Sequence, residues 1–140
     1  MDFSSINWLA VLVCVVASMV IGFVWYSPKA FFPAWWKGIG RTGEPGMSDY
    51  GSMGMGLTWG LTILSALVEA VFVAVLLNAL GANTLAAGVS TAFILWLGLV
   101  ATTNLVNKLF AGWSLKVWAI EAGNHLVTLL AYGAILGAWQ

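Results

Sequence analysis

Charge is nearly missing from this 140-residue chain. Asp, Glu, Lys and Arg make up 7% of it, where a soluble domain carries about 25%. That leaves too little polar surface to cover a water-facing globule of this size. Five basic and five acidic residues balance to zero and form no basic run, which argues against a nucleic-acid partner. Cysteine is reduced to Cys14 alone, so no disulfide closes within the chain. Histidine is reduced to His125. There is no Ser-His-Asp set, no Cys-His pair at a workable spacing, no HExxH and no phosphate loop, so neither an enzyme nor a metal or cofactor site is expected. The first apolar run also lacks the marks of a cleaved leader. Asp2 is the only early charge, and the run ends in Trp25-Tyr26 rather than a small-x-small site, so it reads as a retained helix.

What is present is apolar. Hydrophobic residues make up 61% of the chain and the mean hydropathy is +0.96. A membrane span needs about 20 mostly apolar residues, and four stretches qualify, giving an all-α, four-transmembrane-helix bundle in a single domain. The first runs over about 6–26 and is stopped by Ser27-Pro28, since proline disfavours helix at the residue before it. The second runs over about 57–80, with Gly81 placed to end it. The third covers about 84–107, and the fourth about 115–138, with Ser114 as N-cap. The short turns Gly81-Ala82-Asn83 and Ala111-Gly112-Trp113 predict antiparallel neighbours on either side of each.

The basic residues fix an expected orientation. Lys29, Lys37 and Arg41 lie in the long first connection (27–56), and Lys108 and Lys116 flank the third; the second turn and both tails carry none. The positive-inside rule then puts both basic connections in the cytoplasm and both termini outside an inner or plasma membrane. Trp8, Trp25, Trp35, Trp36, Trp113, Trp118 and Trp139 fit an aromatic belt at the headgroup level, with Trp59 and Trp96 near it depending on tilt. Phe31, Phe32, Trp35 and Trp36 between Lys29 and Lys37 suit a segment lying in the interface. The following Gly-rich stretch, 43–56, is expected to be flexible. Its Met47, Met53 and Met55 lack a nearby Cys or His and are read as packing residues rather than a soft-metal site.

Glu69–Gly81 and Glu121–Gly133 align without gaps, with Glu, Ala, Val, Leu, Ala and Gly recurring at equal positions. Either a 2+2 helical-hairpin duplication or the shared bias towards Ala, Leu, Val and Gly produces such a match. Small residues four apart (Gly56 with Gly60, Ser18 with Gly22, Gly133 with Gly137) permit close helix contact within or between subunits.

Inside lipid the informative residues are the expensive ones. An acidic group at a span's centre costs about 2.5–3.5 kcal/mol on insertion scales and normally faces a bundle interior or water. Glu69 stands near the middle of the second span, with Ser65, Thr62 and Thr58 behind it at helical spacing. The fourth span carries Glu121, Asn124, His125, Thr128 and Tyr132 on one face. Asn7, Cys14 and Ser18 stripe the first, and Thr103, Asn104 and Asn107 gather at the end of the third. The four stripes can converge. Glu69, Glu121, Asn124 and His125 are the candidates for binding a proton, cation or other ligand. Glu121 is also shallow enough to pair with Lys116 or Lys108. Asn7, Ser18, Ser65, Thr103, Asn104, Asn107 and Thr128 are the candidates for interhelical hydrogen bonds.

Several short signatures occur in order along the chain: Ile6-Asn7-Trp8, Trp25-Tyr26-Ser27-Pro28, Trp96-Leu97-Gly98, Asn107 with Leu109-Phe110, and Ile120 through Gly123. In these the chain resembles the bacterial and fungal membrane family catalogued as domain of unknown function 1761. It departs from the family's Leu-Phe-Gly-like stretch after Pro28, where it has Lys29-Ala30-Phe31-Phe32-Pro33. The resemblance implies a four-helix membrane protein and brings no activity with it. Two functions are then expected to compete: a small homo-oligomeric transporter or channel using a polar bundle interior, or a structural or accessory subunit held by other membrane subunits.

Overall fold

The computed structural model describes residues 3–46, 49 and 53–139, so Asp2 and Met47 lie outside the described residues. It is helical throughout, with no strand among the described residues. Helix α1 (Trp8–Trp25) is followed by the short α2 (Phe32–Gly38), then by α3 (Gly54–Leu80). The third long helix is continuous but changes pitch: α4 (Leu85–Leu95) passes into a π-helical segment (Trp96–Ala101) and returns to α-helix as α5 (Thr102–Phe110). Helix α6 (Leu115–Ala138) completes the chain. Four of these units, Trp8–Trp25, Gly54–Leu80, Leu85–Phe110 and Leu115–Ala138, are long and apolar enough to cross a membrane.

Local chemistry explains the boundaries. The side chain of Asn7 caps α1 by accepting from the Ala10 N–H at 3.1 Å. Thr84 caps α4 through the Ala87 N–H, and Ser114 caps α6 through the Val117 N–H; each satisfies one of its helix's orphan donors. Gly81 ends α3 in the left-handed region at φ 64°, a conformation that suits glycine because a Cβ there is strained. Helix α3 starts three residues before its expected first residue, so part of the Gly-rich stretch is helix. The third span runs on to Phe110, beyond the expected end at Asn107.

Helix α6 is the hub. Its closest partner is α4, and it also meets α1, α2, α3, α5 and the π segment. Gly133 and Gly137 make that α4 contact: a Cβ on Gly137 would sit 2.6 Å from the Thr84 carbonyl oxygen, and one on Gly133 would strike the Gly88 backbone. Helix α3 packs on α1 and less on α6. It meets α4 only slightly, so the short 81–83 turn does not make α3 and α4 close neighbours. The glycine seam draws α4 onto α6 instead. The core gathers on these contacts, around Val11, Cys14, Val75, Leu77 and Tyr132, each buried.

The first half of α3 stands apart. From Met55 to Ser65 only Thr58 is even half-buried, and a Cβ on Gly56 or Gly60 would meet nothing within 4 Å.

Candidate functional site

The end of the bundle that carries the first connection and the 111–113 turn holds a cluster of polar side chains. Helix α6 brings Glu121 there, six residues from its start and so about 9 Å along its axis. Helix α5 brings Lys108 from the other side of the turn. Lys108 Nζ lies 2.6 Å from Glu121 Oε2, and the two side chains are 16% and 14% exposed. Of the two lysines in reach by sequence, Lys108 makes the pair. Its ammonium also sits 4.5 Å from the centre of the Trp113 ring, a favourable cation–π placement. The other carboxylate oxygen of Glu121 accepts from Trp35 Nε1 at 2.9 Å. Helix α2 carries Trp35 to that contact: Pro33 lies in its first turn, where a missing N–H costs nothing, and Trp35 follows two residues later.

Three more tryptophans lock the elements around this pair. Trp25 Nε1 donates to the Ile120 carbonyl at 2.9 Å. Trp96 Nε1 donates to the Ala122 carbonyl at 2.8 Å. Trp118 Nε1 donates to the Ala101 carbonyl at 3.0 Å, at the end of the π segment. The widened π turn disturbs the regular i to i−4 ladder, and Thr102 Oγ1 covers its Gly98 carbonyl at 2.9 Å. Gly123 is needed here for room, since a Cβ would come 2.9 Å from Trp25 Cζ2. Trp25, Trp35, Trp96 and Trp118 therefore each tie two elements of the bundle together. Trp8, Trp59 and Trp139 remain exposed at 55%, 49% and 44%.

One turn further into the bundle lie Asn124 and His125 on α6 and Asn104 on α5. His125 is within electrostatic range of both Glu121 and Lys108. Asn124 Nδ2 and Asn104 Oδ1 are buried atoms without a hydrogen-bond partner, one an available donor and the other an available acceptor. Tyr26, just past the end of α1, packs its ring edge-on to Trp35 at 5.3 Å. Burial, and then the Glu121 carboxylate, push its phenol above the ordinary value.

Glu69 belongs to a second, deeper group. It lies half-buried on α3, within electrostatic range of Tyr132. Tyr132 is fully buried, donates towards the Ala66 carbonyl at 3.4 Å and interacts with Ser18. Ser18 itself donates to the Val15 carbonyl at 2.8 Å. Thr128 is buried on α6, one turn before Tyr132. Asn7 ties the bundle at the opposite end, where its Nδ2 donates to the Trp139 carbonyl at 3.3 Å. Asn78, which sequence reasoning passed over, donates there to Ser5 Oγ at 3.2 Å. Ser65, Thr103 and Asn107 face outward, as does Thr62, whose hydroxyl turns back to the Thr58 carbonyl at 2.8 Å. So Glu121 and His125 come together with Lys108, Asn124 and Asn104 lie one turn along the same two helices, and Glu69 neighbours Tyr132 instead.

Among the described residues no group of three or more His, Cys, Asp or Glu side chains is placed to hold a metal ion. Lys108 and Trp35 both donate to the Glu121 carboxylate, one to each oxygen. No curated protein and no solved structure gives a significant match to the chain. A family model described as "protein of unknown function (DUF1761)" matches residues 9–137, taking in three of the elements that meet at the cluster: Trp25-Tyr26, Trp96 and Ile120–Gly123. The chain belongs to that family.

Proposed function

We propose that the protein is a multi-pass, non-enzymatic protein of the cell membrane that moves a proton, a cation or a small solute past Glu121, working as a homo-oligomer. The observation that carries the reading is the Lys108–Glu121 pair, held by Trp35 and sealed from most solvent inside a helix pair. Desolvating two charges costs more than their attraction alone commonly returns. Such a pair is a natural two-state element: a proton or cation arriving at Glu121 takes the place of Lys108 and frees the ammonium. His125 supplies a neighbouring group able to pass a proton, and the open donor and acceptor on Asn124 and Asn104 can hold an incoming polar group. Glu69 provides a second carboxylate deeper in the span.

Both termini lie outside on this reading, supported by the split of five basic residues to none between the two sides. The 2+2 repeat draws support from the packing of α1 with α3 and of α5 with α6. However, the aligned Gly81 and Gly133 play different parts, one a helix end and the other a close contact. Homo-oligomer formation is supported by the unpacked first half of α3 and the outward Ser65, Thr103 and Asn107, polar groups that lipid tails satisfy poorly.

The test is flux into vesicles reconstituted with the purified chain. Glu121→Gln and Glu69→Gln are expected to abolish it while the helix content stays unchanged; unchanged flux in both rejects the reading. The same unpacked face of α3 also favours a second reading, an accessory subunit of a larger membrane complex. Native mass spectrometry in mild detergent separates the two: a clean homo-oligomer supports transport, and a stoichiometric foreign subunit supports the alternative.

A further inference from the structure

The first connection forms a groove of about 780 Å³ that the proposed transport does not use. Its size falls within the range of small-molecule pockets. All three prolines of the chain, Pro28, Pro33 and Pro45, line it. The loop after α2 is pinned back on that helix by Trp36 Nε1, which donates to the Gly43 carbonyl at 2.9 Å. Gly40 and Gly43 turn that loop at φ 80° and 79°, values that glycine adopts without strain. The aromatic surface comes from Tyr26, Phe32 and Trp36, with Phe32 and Trp36 stacked at 5.3 Å.

Charge is placed on the same lining: Lys37 and Arg41 are cationic and Glu44 is anionic. Arg41 sits over the Trp36 ring at 5.0 Å and pairs with Asp49, which leaves Lys37 as the cation more open to a ligand. The groove begins directly at the end of α1, where a membrane span gives way to the headgroup layer. We infer that it binds the headgroup of a zwitterionic phospholipid. The phosphate meets Lys37 with Arg41 beside it, and the primary ammonium meets Glu44 and the face of an aromatic ring. With Arg41 paired to Asp49, Lys37 and Glu44 leave one open charge of each sign, which matches a ligand bearing both signs better than a purely anionic one. An aromatic wall next to the membrane accepts the glycerol and the first methylenes of the chains.

The experiment is native mass spectrometry of the full-length protein from mild detergent, titrated with phosphatidylethanolamine or phosphatidylglycerol of identical acyl chains. One phosphatidylethanolamine is expected per chain, bound about tenfold tighter than phosphatidylglycerol. Lys37→Gln and Glu44→Gln are each expected to weaken it about tenfold, the loss that one charge-assisted contact carries. Both side chains are exposed, so these variants keep the fold, which circular dichroism verifies. Equal binding of the two lipids, or unchanged binding in both variants, overturns the assignment. Equally tight binding of glycerophosphoethanolamine, which has no acyl chains, also overturns it, because the site would then take a soluble ligand.

Discussion

Replacing Glu121 by alanine takes from the Lys108 ammonium its ion-pair partner and leaves the Trp113 ring beside it. Removing one partner of a buried pair costs about 3–5 kcal/mol, mainly because the remaining charge is left uncompensated. With both side chains about 15% exposed, we expect the lower end, about 3 kcal/mol, in unfolding followed in detergent. The double variant Lys108→Met, Glu121→Leu should recover most of that loss. Trp96→Phe shrinks the indole to a phenyl ring and removes the N–H that reaches Ala122; it should cost about 1–2 kcal/mol, one hydrogen bond and some lost packing against the core. A loss no larger for Glu121→Ala than for Trp96→Phe would show that the pair is effectively solvated. Much of this site could be read from residue type. Glu121, Asn124 and His125 share a helix face by spacing alone, and Lys108 was within reach of Glu121 across a short turn. The tryptophans could not be read in the same way. An indole at the headgroup level and an indole donating to a neighbouring helix look identical in sequence, and only tertiary placement decides which carbonyl the N–H finds.

Two helix contacts can be compared at the scale of elements. Gly88→Ala puts a Cβ into the Gly133 backbone, whereas Gly60→Ala puts one into open space. The first should cost about 3 kcal/mol, at the upper end of overpacking penalties. Within a single chain the second should be neutral or stabilise α3 by up to about 1 kcal/mol through helix propensity, and it weakens the homo-oligomer where this face of α3 meets a second copy. Thermal unfolding of the two variants checks the difference in sign. The π segment makes a further prediction. It holds one residue more than an α-helical path needs, so deleting the exposed Gly98 lets the helix revert to α while Asn104 and Lys108 keep their register. Deleting Ser90, in the regular α4, turns every later side chain by about 100° and should break the Lys108–Glu121 pair; the unfolding temperature should fall for the second deletion only. The four spans were legible because length and apolar content dominate in lipid. The π segment was not, since Trp96-Leu97-Gly98-Leu99 carries no pitch signal. The neighbours of α3 were not legible either, because the close glycine contact between α4 and α6 overrides the proximity implied by a short turn.

For the whole molecule, orientation and transport are the properties at stake. Cys14 is buried, so a Cys14→Ala background gives clean single-cysteine mapping. A cysteine at Asn83 should react with an impermeant maleimide on intact cells, and one at the exposed Thr42 only after permeabilisation; the reverse pattern would invert the topology. The basic residues made this expectation legible, whereas no sequence feature reveals how four polar stripes divide between a cluster at Glu121 and a deeper group at Glu69. That division is tertiary, set by which helices α6 contacts. It gives the two carboxylates different surroundings and so different expected roles, Glu121 exchanging its ion-pair partner and Glu69 receiving what passes. The most direct measurement is proton or cation flux in vesicles containing the wild-type chain or Glu121→Gln at equal, verified incorporation. The account predicts flux in the wild type and loss to the level of empty vesicles in the variant. Wild-type flux that survives Glu121→Gln unchanged would contradict it.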